Sequence, residues 1–240
     1  MRRMLLVVLA ACAHPSRVRC LNGSSRLGLD DPFPPDAVVI PGGSYHLGCR
    51  ATVACASNPA RTVVAAEFAI DIRQVVAREL AACVREGACG AAEDGRPGTA
   101  DPFEVPLVTI DEARAYCRWR RGHVPSADEW EIAARGHTGW LYPWGDAWDP
   151  QRVPRGQIRD VSLDVSIGYS VACSNPRSAS VFGVEDLAAN AQEFVQSAGF
   201  VALRGHGPGP LRRDPAEYSV VETRPAQDDD RAAFRCAYSR

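Results

Sequence analysis

From Gly136 to Arg240 the chain offers no stretch with the period of a helix, only the short apolar runs VFGV, FVAL and YSVV among frequent glycines and prolines. Helical structure is therefore confined to the first half. Between Val76 and Glu86, apolar residues recur at Val76, Leu80, Cys83 and Val84, the spacing of an amphipathic helix that stops at Gly87. Thr109 with Glu112 forms a capping box that opens a second helix, which turns Ala113, Tyr116, Cys117 and Trp119 towards a core and ends at Gly122. Ser126 with Glu129 repeats the device for a third helix through Trp130, Ala133 and Ala134, ending at Gly136. Upstream, AVVIPGGSYHLGC reads as two short strands joined at Pro41-Gly42-Gly43 in a hairpin, and TVVAAEFAIDI as one further strand. Two or three short helices in a loop-rich chain predict an α+β domain with little regular secondary structure. Trp130, Trp140 and Trp144 crowd into one short segment and are expected at the middle of its core. No internal repeat is visible.

The chain has 240 residues, 46% of them hydrophobic, and a formal net charge of −2, which fits one globular domain. Arginines are scattered rather than gathered on one stretch, which argues against a nucleic-acid partner. All 27 basic residues are arginine. Without lysine there is no Schiff base, no phosphate-loop ammonium and no lysine general base.

The N-terminus, MRRMLLVVLAACAHP, places Arg2 and Arg3 before a short apolar run, which is the pattern of an export signal. Leu9-Ala10-Ala11-Cys12 resembles the lipobox of bacterial lipoproteins, in which Cys12 is lipidated and becomes the mature N-terminus; an ordinary secretory signal is the alternative. Residues 1–11 are then signal peptide, residues 12–36 a Pro-, Gly- and Ser-rich tether, and residues 37–240 the domain, held at the bacterial cell envelope. Export makes disulfides plausible for the nine cysteines, and setting Cys12 aside leaves an even number. Cys49 and Cys55, and Cys83 and Cys89, are close enough to close small loops, whereas Cys117 and Cys236 lie far apart. Spacing alone leaves the connectivity open.

The segments IPGGSYHLGC, VTIDEARAYCRWRRGHVPSADEWEIAARG, YPWGDAWDP, VFGVEDLAANAQEFV, LRG and FRCA occur in the order and spacing of the formylglycine-generating enzyme (sulfatase-modifying factor) family, which the chain resembles over residues 37–240. The resemblance implies a variant of the C-type lectin fold, with short helices around small twisted sheets. It implies a Cys117–Cys236 bridge, closing a loop of about 119 residues and stabilising the fold by on the order of 4–5 kcal/mol. CVREGAC resembles a variant of exported relatives that suggests a Cys83–Cys89 bridge, with Cys49–Cys55 a further candidate. It also implies calcium, held by the Asp186 and Glu193 carboxylates and the main-chain carbonyls of Ala189 and Ala191, a hard-oxygen set suited to that ion. The asparagine of a second such site is not evident near Val153–Arg155.

The family's chemistry rests on a cysteine pair beyond an RGGS strand that binds copper(I) and oxidises a substrate cysteine to formylglycine. Here no cysteine lies between Cys173 and Cys236, His206 stands where the second glycine belongs, and Gly207 stands where the serine belongs. Copper is therefore not expected, and no residue is assigned a catalytic role. Gln74 replaces the acidic residue of the family's E-V-T motif, and Gln192 and Phe194 replace its paired tryptophans. The sequence thus points to a binding or accessory domain without the oxidase activity, with an unidentified protein, peptide or glycan ligand. The competing reading is an enzyme with a rearranged site, recruiting Arg204, His206 or Cys173 in the same groove. GHGPG lacks the helix that a phosphate loop needs, and Gly168-Tyr169-Ser170 lacks the closing glycine of a nucleophile elbow.

Overall fold

The computed structural model describes residues 33–49, 58–90, 102–153, 172–173, 175–206 and 223–240. Residues 1–32, with Cys12 and Cys20, and also Cys55, lie outside the described residues. Strands β1 (Ala37–Ile40), β2 (Gly43–Leu47), β3 (Arg61–Ala65) and β4 (Phe68–Asp71) come first, followed by helices α1 (Ala77–Arg85), α2 (Ile110–Trp119) and α3 (Ala127–Arg135). A 3-10 turn (Pro176–Ser178) then precedes β5 (Glu193–Ser197), β6 (Phe200–Arg204), β7 (Arg224–Pro225) and β8 (Ala237–Ser239). The strands form three small sheets, ordered β1-β4-β8, β2-β3 and β5-β6-β7, with every pairing antiparallel.

The expected hairpin of β1 and β2 does not form. Both strands exist, but β1 pairs with β4 while β2 pairs with β3, so the chain divides at Pro41-Gly42 into two sheets. The reason lies in TVVAAEFAIDI, which is two strands of different kind rather than one. In β3 burial alternates, as suits a strand with one solvated face, whereas all four residues of β4 are buried and need a neighbour on each side. Strands β1 and β8 supply those neighbours.

The helices begin where their caps place them. Thr109 and Ser126 accept the backbone N–H of Glu112 and Glu129, and each glutamate reaches back to the cap's own N–H, at 2.7 Å in both cases. Each such cap stabilises its helix by about 1 kcal/mol. Past α2 the left-handed residue is Arg121, with φ 61°, rather than Gly122; a Cβ on Gly122 would sit 2.5 Å from the Ala237 carbonyl oxygen. Gly136, with φ 65°, does end α3.

Two apolar clusters meet between the sheets. One surrounds the Cys117–Cys236 disulfide with Ala113, Tyr116, Phe234 and Tyr238; the other surrounds Trp130 with Ile40, Leu47, Ile70 and Leu187. Of the three tryptophans expected in the core, only Trp130 is fully buried. Trp140 and Trp144 are half-buried, and Trp144 stacks on Tyr142 and anchors a loop through the Ala147 carbonyl. A second disulfide joins Cys83 to Cys89 at the end of α1. Cys49 and Cys173 are disulfide-bonded as well.

Candidate functional site

At the centre of the domain a buried carboxylate, Glu193 at the start of β5, is surrounded by donors. Arg235, just before β8, grips it with Nε and Nη2, both at 2.7 Å. The Trp130 indole of α3 donates to Oε2 at 2.9 Å, and the Gln74 amide donates to Oε1 at 2.9 Å. Four hydrogen bonds thus converge on two oxygens of a side chain that is 1% exposed. Arg235 also donates to the carbonyls of Asp71 and Glu185, tying this centre to β4 and to the loop before β5. A charge so deep is tolerable only with a partner of this quality.

Gln74 organises the rest. Its Nε2 donates to Glu193 and, at 3.1 Å, to the Ala191 carbonyl, while its Oε1 accepts from Asn190 at 3.3 Å. Ala191 and Glu193 are two of the four oxygen donors that the resemblance assigns to calcium. The Gln74 nitrogen donates to both of them. The assigned set therefore does not fit calcium. Glu193 leaves it because four donors already fill its two oxygens, while the Ala191 carbonyl accepts one bond from Gln74 and keeps its second lone pair. Asp186 keeps one oxygen on the Cys173 backbone N–H at 3.1 Å, and its other oxygen, like that of Asn190, is buried without a hydrogen bond at normal length. Among the described residues no group of three or more His, Cys, Asp or Glu side chains is arranged to hold a metal ion.

The neighbouring carboxylates respond to the same low-dielectric setting. Burial, reinforced by the adjacent Asp186, pushes Glu185 up to about 7, and burial pushes Asp186 up to about 6. Asp71 is pushed up to about 7 by burial, against the opposing pull of Arg120, although it accepts from the Cys236 amide and the Tyr238 hydroxyl, both at 2.8 Å.

The three residues held as groove candidates are not brought together as a reactive site. Arg204 is 2% exposed and donates to Glu131 at 3.0 Å, with its guanidinium 5.7 Å from the Trp130 ring centre. Glu131 in turn accepts from Arg135, Asn58 and the Gly48 N–H. Burial alone would raise the Glu131 pKa, but these partners outweigh it and hold it below the ordinary value. Arg204 is thus a structural cation. Cys173 is 3% exposed and disulfide-bonded, so it offers no thiol. His206 is half-buried at the end of the described segment.

Sequence reasoning used Gln74 only as a departure from a motif and did not single out Arg235 or Glu131. A signal for the last was present: Glu131 and Arg135 are one turn apart on a helix whose residues from Trp130 to Arg135 are all buried, so each needs the other.

Few helices, small antiparallel sheets and a core of paired buried charges define an α+β domain of the C-type-lectin-like class. A model of the sulfatase-modifying factor enzyme 1-like domain matches residues 30–238. The chain belongs to that family, the family of formylglycine-generating enzymes. It is 29% identical to the inactive C-alpha-formylglycine-generating enzyme 2 of Mus musculus over 89% of each chain. It is 36% identical to the Bos taurus protein of the same name over 42% of this chain, a match that spans 35% of that protein's length. Among solved structures, PvdO from Pseudomonas aeruginosa superposes with a TM-score of 0.66 at 22% identity, covering 90% of this chain and 97% of that one.

Proposed function

We propose that this chain is a non-catalytic member of its family, a binding or accessory domain tethered at the bacterial cell envelope. The observation that carries the proposal is the state of the cysteines. All six among the described residues are disulfide-bonded, including Cys173, the thiol named as a candidate for a rearranged oxidase. The sequence between Cys173 and Cys236 supplies no other. A soft copper(I) ion needs thiolates, and a disulfide has none to give. The relative named as inactive in Mus musculus is in keeping with this reading. Tethering rests on the N-terminal signal and lipobox pattern, and an envelope location suits a disulfide-rich chain.

The test is aerobic incubation of the purified protein with copper(I) and a cysteine-containing sulfatase peptide, following metal binding and peptide mass together. Neither tight copper nor loss of the peptide thiol is expected. Formation of the aldehyde product, abolished by Cys173→Ser, would restore the enzyme reading.

A further inference from the structure

Strand β3 has an open side. It bonds β2 along one edge, and no described residue takes the backbone N–H or C=O groups of its other edge. The far edge of β2, by contrast, is covered where the His46 N–H meets the His137 carbonyl at 3.2 Å. Proteins normally blunt such edges with charge, proline or a bulge. Here the charge of β3 is confined to Arg61, which is paired with Asp128; Thr62-Val63-Val64-Ala65 carries none of these, and Val64 is 86% exposed.

The open edge borders a groove of about 710 Å³ floored by Ala65, Phe68, Val124 and Ile132. The groove shares no residue with the buried site around Glu193. Its acidic residues are matched within the protein: Glu67 by Arg240 at 3.2 Å, Asp128 by Arg61, and Glu129 by His123 at 3.1 Å and the Ser126 N–H. Its basic wall is not fully matched. On α2, Arg114 meets Asp111 at 3.2 Å, while Arg118, one turn further on, is exposed and has no ion-pair partner among the described residues.

We infer that this groove receives an extended segment of another protein, added as a strand to β3, with apolar residues on the side facing the floor and a carboxylate side chain for Arg118. Main-chain hydrogen bonds to the free edge hold the segment, and the unmatched guanidinium selects its charge. The inference is independent of whether the domain has catalytic activity.

The test uses the intact protein and a fluorescent, end-capped hexapeptide alternating valine with threonine and one central glutamate. Binding is read by anisotropy and by slowed amide exchange in β3. Two further peptides carry N-methyl groups on alternate backbone nitrogens, one set on the pairing edge and one on the opposite edge. Saturable binding is expected, with only one methylated peptide losing it. Arg118→Glu should weaken binding by about tenfold or more, and a lysine-bearing peptide should recover it. Absence of binding at millimolar peptide, equal binding of both methylated peptides, or indifference to Arg118→Glu would overturn the inference. So would a dimer of the protein, seen by sedimentation, that protects β3 and that peptide does not dissociate.

Discussion

The Gln74 side chain donates to two oxygens that the resemblance assigned to calcium, and the substitution Gln74→Glu tests whether those bonds are what keeps the ion out. The amide nitrogen has two hydrogens and uses both, on Ala191 and on Glu193. A carboxylate in its place removes both donors and sets a second negative charge about 3 Å from Glu193 Oε1, in a site that is fully buried. Arg235 already spends its fork on Glu193 and has no further group to offer. Leaving a buried charge uncompensated costs about 3–5 kcal/mol, which for a domain of this size lowers Tm by about 6–20 °C in the absence of metal.

The same change creates what calcium lacks in the native chain. Carboxylates at positions 74 and 193, the Ala191 carbonyl and the free Asn190 oxygen would form an oxygen-rich site that water can complete. At calcium a hundredfold above Kd, binding would restore about 2.7 kcal/mol. Thermal unfolding with EDTA, magnesium or calcium reads the outcome, and Gln74→Met serves as a control that loses the hydrogen bonds without adding charge. The expectation is no calcium response in the native protein or in Gln74→Met, and a calcium-specific recovery in Gln74→Glu. A native protein whose Tm climbs several degrees with calcium, or a Gln74→Glu variant equally unstable in calcium and EDTA, would refute the reasoning.

The buried Asp71 makes stability depend on pH in an unusual direction. Its folded pKa of about 7 lies above the ordinary carboxylate value, so the native state holds a proton that the unfolded chain releases between about pH 4 and pH 7, and stability should rise as pH falls through that window. Urea unfolding should show a slope of at most about 1.4 kcal/mol per pH unit from this group, flattened in Asp71→Asn. Glu131→Gln strips the charge that matches both Arg135 and Arg204 and should cost about 3–5 kcal/mol by urea unfolding, independent of salt because the pairs are buried. Gly122→Ala drives a methyl against the Ala237 carbonyl and the Tyr238 ring, at 2.5 and 2.8 Å, and should lower stability by about 1–3 kcal/mol without changing the fold, as judged by circular dichroism.

What was legible in the sequence followed local rules. Capping boxes at Thr109 and Ser126 set two helix starts because the bonds they make span three residues, and the one-sided pattern from Val76 to Glu86 marked α1 for the same reason. Pairing was not legible, because adjacency in sequence favours a β1–β2 hairpin, whereas the choice between β2 and β4 is made by burial on both faces of β4, a property of the assembled sheets. The buried site failed for a related reason. Family motifs located Glu193 and Ala191 as oxygens, but a motif does not show which donors already fill those oxygens. What satisfies these is Gln74, more than a hundred residues away in the chain. The departure that looked like a lost catalytic-region residue and the donors that looked like a metal site are therefore one feature. The amide at position 74 supplies the two hydrogen bonds that Ala191 and Glu193 accept there, beside the carboxylate and the arginine on which β4 and the loop before β5 are hung.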